Sequence, residues 1–405
     1  MPSGPDRNVS ESPIHVLQVT RGAIWGGGER HVLSLLEAFQ GRSVRMSLAV
    51  FGEGRLAEEA RRLGVTVHCL PKRFRGDPRP LFGLVRAIRR DRVDIVHTHM
   101  PSGNVYGRIA ARLARGRGLI STLHYVDREA LPFLNPVLQR LLFDGDIRMA
   151  AMCDGIVSTS EHLRRALLER GLSPQKVVTI LNGVNLETLS LDDRADGALR
   201  KELGIGRGTP VVGIVGRLVP VKNHALFLRT AREVLDRGAR ALFVLVGDGP
   251  LRESLGALSR ELGLEDHVVF AGFRDDVMRL LALFDVCLLT SNSETSAYGV
   301  SEPMAMGRPV VATAVGGVPE LIDHRIDGWL CPPGDVGALA EGVCALLADP
   351  AEAARMGERA AGKVRERLSL GRMAGRLEEV YRRVFLDVSR RRGEGNAGAG
   401  ERQAR

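Results

Sequence analysis

The chain has 405 residues, 44% of them hydrophobic and 26% charged, and carries a formal net charge of +9. That balance excludes a disordered or polytopic membrane protein, and the length implies two domains, each able to bury its own core. Five scattered cysteines (Cys69, Cys153, Cys287, Cys331, Cys344) with no Cys-x-x-Cys pair exclude a disulfide or zinc framework and fit a reducing compartment.

The opening Met1–Ser10 segment lacks the apolar core of a signal peptide, and no run is long enough to cross a bilayer, so a cytoplasmic enzyme is expected. Short β-branched runs then alternate with longer amphipathic ones, which predicts parallel sheets covered by helices. In the first half the strands are expected at His15–Thr20, Met46–Phe51, Val65–Leu70, Asp94–His99, Leu119–His124, Gly155–Ser160 and Val177–Asn182. Helices are expected at Glu29–Phe39, Pro80–Arg90, Asn104–Leu113 and Glu161–Arg170. The pattern pauses over the polar stretch Leu186–Gly208 and restarts, with strands at Val211–Gly216, Ala241–Val246, Val268–Gly272, Val286–Ser291, Val310–Thr313 and Gly328–Cys331. This predicts an α/β protein of two doubly wound, Rossmann-like domains, 13–187 and 188–370, facing a cleft at the carboxyl ends of both sheets. A final helix over 371–389 follows, and the Gly- and Arg-rich tail 390–405 is expected to be disordered.

A pI near 9.8 invites an anionic partner. Much of the basicity lies in Lys72-Arg-Phe-Arg75 and in Arg86, Arg89, Arg90 and Arg92, while Leu81, Leu84, Val85 and Ile88 recur at helical spacing. Such a helix can rest on an anionic membrane surface, or its cationic face can simply be solvated. Nucleic acid is excluded as a partner by the 4% aromatic content and the lack of a reader motif.

Several loops between a strand and a helix carry chemistry. Trp25-Gly26-Gly27-Gly28-Glu29 lets backbone amides approach a phosphate, though it is also a plain tight turn. In Gly216-Arg217-Leu-Val-Pro-Val-Lys222, Arg217 offers a bidentate fork and Lys222 a mobile point charge, a pair suited to a diphosphate. Glu294 and Glu302 are two carboxylates separated by Thr295-Ser-Ala-Tyr-Gly-Val-Ser301; the second opens a helix beside free backbone N–H groups. Such a pair can grip hydroxyls while the amides hold phosphate. Gly316-Gly-Val-Pro-Glu320 supplies another loop to the cleft, and Arg274 is placed to reach a nucleotide base or to stay solvated.

His97-Thr-His99 and His124 end strands of the first domain, where an imidazole can donate to a sugar oxygen or be a satisfied structural group. No third ligand lies at a fitting spacing for a metal. Asp144-Gly145-Asp146 interrupts an apolar helical stretch instead of capping a strand, which makes it a helix-end or kink feature, so neither a metal nor another cofactor is expected.

Gly26-Gly27-Gly28-Glu29, Asp94-Ile-Val-His97-Thr-His99, Asn182-Gly-Val-Asn185, Gly216–Lys222, Val246-Gly-Asp-Gly249, the Glu294/Glu302 pair and Gly316–Glu320 occur in the order found in retaining glycosyltransferases of family four, which the chain resembles over roughly residues 15–385. The resemblance implies a GT-B architecture whose last helix crosses back to the first domain. It also implies metal-independent transfer from a nucleoside-diphosphate sugar to a hydroxyl acceptor, with retention. By matching position, Arg217 and Lys222 would neutralise the diphosphate, Glu302 hold the ribose and Glu294 the donor sugar. His124 would lie beside the transferred glycosyl unit, Val300 offer an amide, and Gly27 and Gly28 approach the phosphates. Family habit suggests a bacterial envelope polysaccharide or a lipid-linked acceptor. The chain departs from the pattern at Thr295-Ser296-Ala297, where Gly-Phe-Gly or Ser-Phe-Gly is usual, and at Asn185. An epimerase or phosphorylase on the same architecture, or a homologue that binds without turnover, are the alternatives; the lack of a dinucleotide fingerprint disfavours a nicotinamide dehydrogenase.

Overall fold

Among the described residues, thirteen short apolar runs pair into two all-parallel sheets. The computed structural model of the protein describes residues 13–22, 25–74, 76–124, 144–187 and 197–403. In the first sheet the strands are β1 (Ile14–Thr20), β2 (Val44–Val50), β3 (Thr66–Cys69), β4 (Ile95–His99), β5 (Gly118–Leu123), β6 (Gly155–Ser158) and β7 (Val177–Thr179). They lie in the order β3-β2-β1-β4-β5-β6-β7, and the reversal of direction between β1 and β4 is the point where an open sheet leaves a crevice. The second sheet comprises β8 (Val211–Val215), β9 (Leu242–Val246), β10 (Val268–Gly272), β11 (Val286–Leu289), β12 (Val310–Thr313) and β13 (Trp329–Cys331), ordered β10-β9-β8-β11-β12-β13, with its switch between β8 and β11.

Each expected strand and helix appears within a few residues of its predicted place, except at the end of the last helix. Strands buried on both faces need continuous apolar runs, which is why these were readable. The Arg55–Arg62 helix was not anticipated, since it buries only Leu56, Ala57 and Ala60, too little apolar bulk to mark a period. The boundary segment 188–196 falls outside the described residues.

The last helix, Leu370–Gln403, does return to the first domain. Its Met373, Ala374, Leu377, Tyr381 and Val384 join a single core with Val16, Leu48, Ile95 and Ile120 of the first sheet. The expected disordered tail is corrected: the helix runs on to Gln403. Once a helix is packed as far as Val388, each further residue extends an existing ladder, which is far easier than starting one.

Loops at the carboxyl ends of the two sheets touch across the cleft. Thr295 Oγ1 donates to the His124 carbonyl oxygen at 2.7 Å. Arg30 Nε lies 3.5 Å from Glu302 Oε1. The Glu320 carboxylate accepts from the backbone N–H of Glu161 at 2.7 Å and of His162 at 2.6 Å, capping the Glu161–Glu169 helix of the opposite domain.

Candidate functional site

The centre of the cleft is built by the second domain. After β8 the chain turns through Gly216–Val219 into a short 3₁₀ turn, Pro220–Lys222, and Asn223 in the left-handed region opens the His224–Asp236 helix with its own side chain as cap. This geometry aims Lys222 along the sheet edge at Glu294, which follows β11: Nζ lies 2.5 Å from Oε1. Ser291 Oγ donates to the same oxygen at 2.7 Å. A cation and two hydrogen-bonding oxygens therefore meet at the carboxyl ends of adjacent strands.

Behind Glu294 stands the Gly316-Gly317 loop. Gly317 N–H donates to the Glu294 carbonyl oxygen at 2.9 Å. Gly316 has φ +53°, and a Cβ there would lie 1.7 Å from that same oxygen. Only glycine fits this approach, which fixes the height of the Glu294 backbone.

Glu302 sits on the Tyr298–Ala305 helix, mostly buried beneath the cleft wall. Burial raises its carboxyl above the ordinary range, and the Arg30 guanidinium across the cleft opposes that shift. Arg30 was not foreseen. It stands in the first turn of the Gly27–Ala38 helix, next to the Glu29 of the glycine motif, and that adjacency was the available signal. Glu29 itself is fully buried and bound by Arg21, whose Nε lies 2.7 Å from Oε1.

The remaining predicted residues divide. Gly27 and Gly28 form the first helical positions after Gly26, where backbone N–H groups have no partner within the helix. A Cβ at Gly27 would meet nothing within 4 Å, so this face is open. Arg217 is exposed and has no ion-pair partner among the described residues. Val300 is corrected: its N–H already donates to the Ala297 carbonyl oxygen at 3.0 Å, leaving Tyr298 and Gly299 at the helix start to offer amides. Arg274 is corrected too. Asp276 holds it through two bonds of 2.8 and 2.7 Å, and Glu202 pairs with it from the other side. Tied to two carboxylates, it is not free to read a base. The Tyr125–Phe133 loop expected on the acceptor side lies outside the described residues.

Asp146 lies within a helical run over 144–150, and the apolar stretch before Asp144 lies outside the described residues. It pairs with the buried Arg108 at 2.6 Å and accepts from Asn104 at 3.1 Å.

The first domain brings histidines together that sequence spacing had separated. His97, the first of the His-x-His pair, is turned into the core, bonded to Tyr381 and Thr122. His99 Nδ1 faces His124 Nε2 at 3.4 Å, and His31 packs edge-on to His124 with ring centroids 4.9 Å apart. Burial lowers all four below the ordinary histidine value, to about 3 for His97 and about 4 for His124. The fold thus supplies His99 with companions, His31 and His124, that the sequence did not reveal. Their ring nitrogens lie within 4.8 Å of one another, looser than the roughly 3.3 Å between ligands of a tetrahedral zinc with bonds of about 2.0–2.1 Å.

At the opposite, amino-terminal ends of β8, β11 and β12 a hollow of about 590 Å³ is lined by Pro210, Asp285 and Arg308, remote from this chemistry.

Comparison with known proteins agrees with this fold. The family profile described as "Glycosyl transferases group 1" matches residues 196–363, and that described as "Glycosyltransferase Family 4" matches residues 25–188. The chain is 31% identical over 292 residues to 2-deoxystreptamine glucosyltransferase of Streptomyces kanamyceticus, covering 66% of this chain and 71% of that one. It is 28% identical over 278 residues to UDP-Gal:alpha-D-GlcNAc-diphosphoundecaprenol alpha-1,3-galactosyltransferase of Escherichia coli, covering 67% and 71%. The fold superposes on Anabaena HepE, solved with UDP and glucose, at a TM-score of 0.80 and 23% identity, covering 90% of this chain and 98% of that one.

Proposed function

The chain belongs to glycosyltransferase family four, has the GT-B fold and uses a nucleotide-sugar donor; from that premise we propose that it transfers the sugar to a hydroxyl acceptor with retention at the anomeric carbon. The observation that carries the reading is the meeting of Lys222, Glu294 and Ser291 at the strand ends, in a cleft that the glycine-rich helix of the first domain enters through its Arg30–Glu302 contact.

In this reading Lys222 and Arg217 neutralise the diphosphate as it departs with the electron pair of the anomeric bond. The free amides of Gly27 and Gly28 approach the phosphates from the first domain. Glu294 accepts from donor-sugar hydroxyls and Glu302 from the ribose, and His124 lies beside the glycosyl unit. Preorganised charge of this kind is the main source of rate, and one such group commonly contributes about 10²–10³. With cations and helix termini meeting the diphosphate, turnover is expected without a metal, and chelation with EDTA should leave it unchanged. Uridine diphosphate sugars are the first donors to test, since HepE was solved with UDP and glucose.

The acceptor we assign to bacterial envelope synthesis, with a lipid-linked acceptor as in the name of the Escherichia coli relative. Among the described residues no helix is long and apolar enough to cross a membrane, so contact with lipid would be peripheral. We place that contact on one cationic face of the first domain. On the Arg79–Arg90 helix, Leu84 and Ile88 are buried, while Phe82 on the cationic side is 68% exposed. Phe74 and Leu113 are 61% and 48% exposed nearby, and Arg89 Nη2 donates to the Leu113 carbonyl oxygen at 2.7 Å. Arg86, Arg89, Arg90 and Arg112 are exposed on the same two helices, a mixture of cationic and apolar groups suited to an anionic bilayer.

A thermal-shift screen of UDP-, GDP- and ADP-sugars, followed by NMR of the product's anomeric configuration, tests the chemistry. Retention with one donor class is the expected result; inversion, or no donor that binds, refutes it. Flotation with anionic against neutral vesicles tests the surface, and binding that ignores lipid charge refutes its electrostatic form.

A further inference from the structure

Beneath the cleft floor, Gln18, His97, His99 and Tyr381 are fully buried and joined into one hydrogen-bonded chain that ends at His124. Gln18 Oε1 lies 2.7 Å from His99 Nε2, and Gln18 Nε2 lies 3.1 Å from Tyr381 Oη. Tyr381 Oη is 2.7 Å from His97 Nδ1, and His97 Nε2 is 2.8 Å from Thr122 Oγ1. His99 Nδ1 meets His124 Nε2 at 3.4 Å.

The protons in such a chain can be ordered in one of two senses, because every link but one can be reversed. The exception is Met46, whose Sδ lies 3.4 Å from Gln18 Nε2. A thioether sulphur accepts and cannot donate, so the amide nitrogen belongs on its side and the amide oxygen faces His99. From there each step is forced for neutral rings. His99 must carry its proton on Nε2 to donate to Gln18, so its Nδ1 is a bare lone pair. His124 must then donate from Nε2, and its own Nδ1 is left without a proton. On the other branch Tyr381 donates to His97 Nδ1, and His97 Nε2–H donates to Thr122.

We infer that Gln18, held by Met46 and by Tyr381 of the returning helix, is a positioning residue that sets the tautomer of His124, so that His124 presents an acceptor, not a donor, at Nδ1. The inference rests on the placing of His124 beside the transferred sugar. It specifies the contact: His124 accepts from a hydroxyl of the glycosyl unit. It also gives the returning helix a task beyond packing, since the Tyr381 hydroxyl holds in place the amide whose orientation Met46 selects.

Selective ¹⁵N-histidine NMR of the full chain, with His124 assigned by its loss in His124→Ala, decides the matter without reference to activity. The wild type should show a bare Nδ1 and a protonated Nε2 at His124. Gln18→Leu removes the acceptor, lets His99 turn its proton toward His124, and should give a mixture of both His124 tautomers. Its turnover should fall about tenfold or more, a fraction of the roughly 10⁴ that a wrong tautomer costs a proton-transferring histidine. Met46→Leu removes the sulphur that selects the amide's orientation and should give a smaller admixture of the same kind, whereas Tyr381→Phe leaves that sulphur in place and should keep the wild-type tautomer. A wild-type His124 protonated on Nδ1, or a Gln18→Leu spectrum identical to wild type, overturns the proposal. Undiminished transfer by His124→Ala would instead remove the functional role of His124 on which it rests, while the spectra still decide the tautomer.

Discussion

Lys222 Nζ and Glu294 Oε1 stand 2.5 Å apart, although 72 residues separate them in the chain. One follows β8 and the other follows β11, the two neighbours at the second sheet's switch point. In the proposed function the two meet different parts of one donor. Lys222→Ala and Glu294→Ala should each lower transfer by about 10²–10³ or more. Circular dichroism and unfolding midpoints should stay close to wild type, because a partly exposed ion pair contributes only about 1 kcal/mol or less. Near-wild-type turnover in either variant would sink these assignments.

Two glycines should respond in opposite ways to the same substitution. Gly316→Ala forces a side chain into left-handed backbone, at a cost of about 1–2 kcal/mol, and drives Cβ to 1.7 Å from the Glu294 carbonyl oxygen. Both stability and donor affinity should fall. Gly27→Ala meets nothing within 4 Å, so its unfolding midpoint should be unchanged while the donor KM rises, the methyl group occupying space meant for phosphate.

Acid should destabilise the protein well above the carboxylate range. Burial holds His31 and His99 far below the ordinary value, His97 at about 3 and His124 at about 4, whereas the unfolded chain protonates histidine near 6.5. Below 6.5 the unfolded state therefore binds more protons than the folded one. The stability from keeping these rings neutral is complete above that pH and is lost as pH falls from 6.5 toward about 4 and 3. The slope is about 1.4 kcal/mol per pH unit for each ring concerned. Glu302, with its raised value, works in the opposite sense, losing stability as pH rises through its folded pKa, but it is one group against four. Urea midpoints from pH 7 to pH 4.5 check this, and a flat profile would contradict it.

Glu320 reaches from the second domain to cap a helix of the first, accepting two backbone N–H bonds at 2.7 and 2.6 Å. Glu320→Ala removes a cap that stabilises by about 0.5–2 kcal/mol, and it removes that energy from the closed arrangement of the domains. Small-angle scattering should show a larger radius of gyration, and the donor KM should rise with little change in the unfolding midpoint of either domain. An unchanged scattering profile would show that the cap does not hold the domains together.

Much of this was legible locally. β-branched runs gave the strands, and the turns after β8 and β11 placed Lys222 and Glu294 at strand ends before any contact was known. Local spacing failed where a partner comes from afar. Gln18 meets Tyr381 across 363 residues, and nothing in either neighbourhood marks the pair. Arg30 and Glu320 act across the cleft, so their meaning depends on how the domains face each other. Arg274 and Val300 misled for the converse reason: each had a nearer partner, Asp276 and Ala297, that satisfied it first. Thr295, which departs from the family pattern, turns out to bond the backbone of His124.

The central claim is that the cleft grips a departing nucleoside diphosphate through Lys222 and Arg217. Calorimetric titration of UDP into the wild type and into an Arg217→Ala, Lys222→Ala double variant tests it most directly. Saturable binding to the wild type, weakened by about 100-fold or more in the folded double variant, is predicted, each lost charge-assisted contact contributing about 1.5–3 kcal/mol. Equal affinity in the two proteins would contradict the account.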